Sequence, residues 1–115
     1  MVTGLKAVIY PVKNLDESKA MFERLLGVPP AVDAPYYVGF DVPGAHIGLD
    51  PNGHKNGLVG SVATWLVENI EESLQSLVDS GAEVNQTITD VGGGILIASL
   101  KDSNGNFIGL MQPTA

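Results

Sequence analysis

At 115 residues, 44% of them apolar, the chain has the size of one globular domain and is too hydrophobic to be disordered along its length. Thirteen acidic against six basic side chains leave a net charge of −7, which repels the phosphates of nucleic acid instead of neutralising them. Without cysteine the chain has no disulfide, thiolate metal site or cysteine nucleophile, and no run approaches the roughly 18 apolar residues that span a bilayer.

The first segment, Met1-Val2-Thr3-Gly4-Leu5-Lys6, lacks the charged start and apolar block of a signal peptide, so the expectation is a cytoplasmic protein. Residues 5–12 are β-branched and aromatic and read as a strand ending near Pro11. Asn14 or Asp16 can cap a helix there, and the early carboxylates Asp16 and Glu17 suit the positive end of its dipole. Leu15, Ser18, Phe22, Leu25 and Leu26 are expected on one helical face, with Gly27 and Pro29-Pro30 stopping the helix. Short strands are expected near Ala31–Val32, Tyr36–Val42 and Ala45–Asp50, the last two turned against each other by Pro43-Gly44.

The same order then returns. Ser61–Val67 reads as a strand, Asn69 caps a helix with Ile70, Leu74, Leu77 and Val78 on its face, and Gly81 ends it. Strands are expected at Glu83–Thr87, Gly94–Leu100 and Asn106–Met111, with Asn104-Gly105 as a turn because both residues tolerate positive φ. Gly92-Gly93-Gly94, with no Lys-Ser/Thr after it, is a hairpin loop and not a phosphate loop.

The repeat is visible in the letters. Val12-Lys13-Asn14-Leu15-Asp16-Glu17-Ser18 returns 55 residues later as Val67-Glu68-Asn69-Ile70-Glu71-Glu72-Ser73, and Ile47-Gly48-Leu49 returns 61 residues later as Ile108-Gly109-Leu110. One domain of two modules follows, at about residues 4–50 and 60–113, with the Gly/Asn/Pro-rich stretch 51–59 as connector.

A strand–helix–strand–strand–strand unit opened by Val-x-Asn-Leu/Ile-x-x-Ser resembles the vicinal oxygen chelate superfamily of glyoxalase I, extradiol dioxygenases and bleomycin-resistance proteins. The ending from Asp102-Ser103-Asn104-Gly105-Asn106 to Gln112-Pro113 is similar to that family's usual close. The resemblance implies an α+β fold: two βαβββ modules forming a cupped, barrel-like sheet with helices outside, commonly in a homodimer. It also implies a divalent metal held by His, Gln or Glu at four inward-facing places. Here those places read Ala7, Gly48, Val62 and Gly109, none with a side-chain donor atom.

Strand parity supplies the rest of the expected cleft. His46, Asp50, Ile9, Thr64, Leu66, Phe107 and Met111 share a face with the four empty places, and Tyr36 or Tyr37 could join them. His54 is expected in solvent. A metal site displaced to His46, His54 and Asp41 or Asp50 would draw on segments of no fixed geometry. Ser61, Thr64 and Ser99 have no base beside them in sequence, so no catalytic residue is assigned. Tyr10 and Trp65 have the opposite parity and are expected as core under the helices, while Glu68, Glu71, Glu72 and Asp79 form a solvated face.

The resulting expectation is a metal-free small-molecule-binding protein of the glyoxalase/bleomycin-resistance type, without cofactor, homodimeric, and taking a cationic or aromatic ligand. It has neither a nucleic-acid nor a membrane partner. Two other readings stay open: a metal-dependent lyase or dioxygenase with unusual ligands such as His46, and a structural or regulatory partner whose cleft is filled by its own side chains.

Overall fold

The computed structural model describes residues 2–114. The elements run β1 (Val2–Pro11), α1 (Leu15–Leu26), β2 (Val32–Ala34), β3 (Tyr37–Val42), β4 (Ala45–Asp50), β5 (Val62–Val67), α2 (Ile70–Asp79), β6 (Glu83–Asp90), β7 (Leu96–Lys101) and β8 (Phe107–Gln112). The fold is α+β, with βαβββ occurring twice as the sequence predicts. Two compact units result, Ala7–Val62 and residues 63–114 together with residues 2–6, called here module one and module two.

In module one the strand order is β2-β3-β4-β1, with β2, β3 and β4 antiparallel in turn and β1 parallel to β4. Alternation along these strands separates two faces. On one, Val38, Phe40 and Leu49 are buried with Val12, and Tyr10, Leu15, Phe22, Leu26, Val28 and Ile47 pack on them. Tyr10 and Phe22 meet with ring centroids 5.0 Å apart, which confirms Tyr10 beneath the helix. Burying Phe40 and Leu49 completely is worth about 1.5–3 kcal/mol each.

Helix α1 starts and stops as its sequence dictates. The Asn14 side chain accepts the Glu17 N–H at 3.0 Å, and Gly27 takes the left-handed conformation (φ 72°) while its N–H closes on the Glu23 carbonyl. The expected apolar face needs one correction, because Leu25 is 71% exposed. It stands about 100° around the helix from Leu26, at the edge of the stripe that Leu15, Phe22 and Leu26 define.

Module two has the order β5-β8-β7-β6, again with its first strand parallel to its last and the others antiparallel. Val67, Ile70, Ala98, Leu100 and Leu110 form its core, with Leu74, Leu77, Ala82, Ile88, Leu96 and Ile108 around it. Asn69 caps α2 by accepting the Glu72 N–H at 3.1 Å. The Gln112 side-chain oxygen accepts the Ile70 N–H at 2.8 Å, so the end of β8 satisfies a second free donor of the helix. Val78, expected on the apolar face, is at its rim and 37% exposed.

The turn before β8 is held by one carboxylate. Asp102 accepts the backbone N–H groups of Asn104 and Asn106, both at 2.9 Å, and the Asn106 side-chain amide at 3.1 Å. These bonds, those from Asn106 foremost, hold the Asp102 carboxyl below its ordinary value against a small opposing effect of desolvation. Gly92, Gly93 and Gly94 all have positive φ in the β6–β7 loop, as a hairpin loop requires. Among the described residues, no helix is long and apolar enough to cross a membrane.

Candidate functional site

The face of module one away from α1 carries Tyr37, Asp41, His46 and Asp50. Strand pairing sets Ala7 opposite His46, Ile9 opposite Gly48, Asp41 opposite His46 and Gly39 opposite Gly48, so these residues share one face. His46 is anchored at both ring nitrogens. Its Nε2 lies 2.6 Å from the Tyr37 hydroxyl, and its Nδ1 lies 2.7 Å from Oδ1 of Asp41. The Tyr37 and His46 rings are stacked, with centroids 5.9 Å apart and planes 11° from parallel.

Proton placement follows from these partners. Burial, then the nearby carboxylates of Asp50 and Asp41, push the Tyr37 phenol above its ordinary value, so it keeps its proton. The protonated phenol can donate to Nε2, with Nδ1 then donating as an N–H to the Asp41 carboxylate. The result is a continuous chain from a half-buried hydroxyl to a carboxylate whose side chain is 70% exposed.

Two glycines make room for it. A Cβ on Gly39 would lie 2.6 Å from His46 Cε1 and 3.0 Å from the Tyr37 ring. A Cβ on Gly48 would run into the Tyr37 hydroxyl and lie 2.7 Å from Ile9 Cδ1. The place where the resemblance implies a metal-binding side chain on the last strand is thus covered by Tyr37. Module two treats its matching glycine in the same way with a different residue. A Cβ on Gly109 would lie 2.5 Å from Thr64 Oγ1 and 3.2 Å from Thr64 Cα, its partner on the adjacent strand.

The residues expected in the cleft are therefore placed as follows. Tyr37, His46, Asp50 and Ile9 fall on one face of module one, and Tyr37 with His46 make direct contact. Thr64, Leu66, Phe107 and Met111 fall on one face of module two, where Leu66 and Met111 are cross-strand partners. The unsettled choice between Tyr36 and Tyr37 resolves to Tyr37, since Tyr36 is 70% exposed. Asp50 lends one oxygen to the Asn52 N–H at 2.8 Å. His54 is exposed, as expected, and among the described residues no group of three or more His, Asp or Glu side chains converges to hold a metal ion.

Sequence reasoning missed Gly39, and named Asp41 with His46 only as part of a displaced metal site, not as its hydrogen-bond partner across the hairpin. The signal was present: closing the chain at Pro43-Gly44 pairs Val42 with Ala45 and then Asp41 with His46. Trp65 needs a correction. It is 37% exposed and lines an open apolar pocket of about 240 Å³ with Val2, Val67, Leu77, Ile108 and Leu110. Among the lining residues only Leu77 comes from α2, which leaves part of the indole uncovered.

Known proteins share this architecture. The structure of methylmalonyl-CoA epimerase from Mycobacterium tuberculosis is 21% identical, with a TM-score of 0.68 over 99% of this chain and 90% of that one. A methylmalonyl-CoA epimerase from Streptomyces coelicolor, in complex with 2-nitronate-propionyl-CoA, is 14% identical, with a TM-score of 0.71 over 100% of both chains. A glyoxalase/bleomycin resistance protein/dioxygenase superfamily member from Vibrio splendidus 12B01 is 15% identical, with a TM-score of 0.72 over 93% of this chain and 97% of that one. At these identities the likeness speaks for the fold alone. None of the curated proteins matches this chain. The sequence model of one family matches residues 4–110, nearly the whole length, and the chain belongs to that family, the Glyoxalase/Bleomycin resistance protein/Dioxygenase superfamily.

Proposed function

We infer that this chain is a metal-free small-molecule-binding member of its superfamily, with its ligand seated on the Tyr37–His46 face of module one. The observation that carries this reading is the treatment of Gly48 and Gly109. Neither has a donor atom, and at each the space a ligating side chain would need is taken by a neighbour, Tyr37 in one case and Thr64 in the other. Ala7 and Val62 supply no donor either. The residues present do not fit a divalent metal in the family's usual arrangement.

Ile9 and the Tyr37 ring offer apolar and aromatic surface beside a few polar groups, the mixture that orients a small, partly aromatic molecule. The acidic side chains Asp41 and Asp50 favour a neutral or cationic ligand over an anionic one. A metal-dependent lyase built on His46 fits less well, because both ring nitrogens already have partners and a metal would have to displace one. The homodimer implied by the resemblance forms part of this reading and is checked by sedimentation.

A thermal-shift screen against divalent metals, cationic glycopeptides and aromatic metabolites tests the reading. Stabilisation by an organic compound, reduced by His46→Ala without a matching loss of melting temperature, is the expected result. Stabilisation by metals alone would overturn it.

A further inference from the structure

The chain of hydrogen bonds from Tyr37 to Asp41 is more than binding requires. A ligand could be held by a phenol alone. Here the phenol is backed by an imidazole, the imidazole by a carboxylate, and both rings are fitted over glycines that leave no slack for a Cβ.

We propose that Tyr37, His46 and Asp41 form a metal-free proton-accepting site for a small neutral ligand with an acidic hydroxyl, of the phenol or enol class, which is bound as its oxyanion. This rests on the small-molecule-binding reading and names the class of ligand. The ligand O–H bond breaks and its proton passes to Tyr37 Oη as the Tyr37 proton passes to His46 Nε2. The electron pair stays on the ligand oxygen, now held by the Tyr37 O–H, and the imidazolium faces the Asp41 carboxylate.

The carboxylates act on this transfer in opposite senses. Asp50 and Asp41 oppose an anion beside the Tyr37 hydroxyl, as they oppose its own ionisation, while Asp41 stands closer, at 2.7 Å, to the imidazole that takes the proton. The proton never leaves the site, so the net charge of ligand plus protein is unchanged. The new imidazolium lies between the Asp41 carboxylate and the ligand oxyanion. Asp50 is the other carboxylate on that face of module one. Lys19 and Asp33 pair with each other at 2.6 Å, and Asp33 lies opposite Val38 on the α1 side. They do not oppose the transfer. The phenol keeps its proton in the free protein, so it is poised to donate until a ligand replaces that proton.

The test uses the full chain and 4-nitrophenol, whose neutral and ionised forms absorb at different wavelengths, at a pH where the free probe is mostly neutral. The bound probe is expected to show the ionised spectrum, ionising about tenfold more readily than in water, a shift of about one pKa unit. Tyr37→Phe, which keeps the ring, and His46→Gln are expected to abolish the shift. Asp41→Asn, at an exposed position that leaves packing intact, should reduce it while the probe still binds.

A bound probe with the neutral spectrum would overturn the relay and leave small-molecule binding standing. An ionised spectrum that survives in Tyr37→Phe and His46→Gln would overturn it too, as would failure of the probe to bind. A stoichiometric metal in the same preparation would overturn the metal-free reading and the relay with it.

Discussion

The final hairpins of the two modules have the same strand pairing and carry opposite chemistry. In module one Asp41 faces His46 across the hairpin and hydrogen-bonds its ring at 2.7 Å. At the matching rung of module two Lys101 faces Phe107, and its ammonium stands 5.7 Å from the ring centroid. One rung is a hydrogen-bonded imidazole and carboxylate; the other is a cation over an aromatic face. Two rungs inward, module one places Gly39 opposite Gly48, and module two places Ser99 opposite Gly109. With glycine on both strands, Tyr37 has room to lie across Gly48. In module two Ile97 is paired with Met111, and Thr64 from the neighbouring strand covers Gly109 instead. The repeated backbone therefore fixes where the glycines stand, and the side chains on adjacent strands decide what covers them.

The largest effects should come where the modules are alike. Phe40→Ala and Leu100→Ala each empty a fully buried place in one of the two cores and should cost about 3–5 and about 2–5 kcal/mol respectively. Phe22→Ala, at a half-buried position on α1, should cost only about 1–2 kcal/mol. Denaturant unfolding of the three variants checks this order. A loss for Phe22→Ala as large as that for Phe40→Ala would contradict the layer assignment.

Smaller effects should separate the modules. Gly48→Ala and Gly109→Ala both overfill a close contact, at about 1–3 kcal/mol each. Gly48→Ala meets mostly the far end of a side chain, so adding Tyr37→Ala should recover much of its loss. Gly109→Ala also meets the Cα of Thr64, so adding Thr64→Ala should recover less. Equal recovery would blur the distinction drawn between the two glycines.

The turns differ as well. Two residues, Pro43-Gly44, close the module-one hairpin, whereas the longer turn of module two depends on the carboxylate of Asp102. Since that carboxyl is held below its ordinary value, its contribution to stability is present above the ordinary carboxylate range. It is lost as pH falls through the folded-state value. Asp102→Ala should be less stable than the parent at neutral pH and should lose less on acidification, as thermal melts across the acid range would read. A parallel acid limb in parent and variant would assign the turn's stability to Gly105 and the backbone alone.

Much of this was legible in the letters. The caps Asn14 and Asn69, the stop at Gly27 and the doubled strand–helix–strand–strand–strand order all have local physical signatures. That Ala7, Gly48, Val62 and Gly109 carry no donor atom is plain from the letters themselves. What local patterns could not supply were the partners of His46 and the coverage of Trp65. Helical periodicity placed Leu25 and Val78 in a stripe whose edges only tertiary contacts define, and both proved exposed. Strand parity put His46 on the same face as Gly48, where the observed register also places it. Tyr37 and Asp41 emerge as its partners only after the Pro43-Gly44 turn fixes the hairpin register.

The central claim is that the family's usual metal is replaced here by side chains of the protein itself. Elemental analysis of the chain purified without chelators tests it most directly, read alongside the same analysis of His46→Ala. The account predicts divalent metal well below one equivalent in both. About one equivalent in the parent, lost in His46→Ala, would contradict the claim and make His46 a metal ligand.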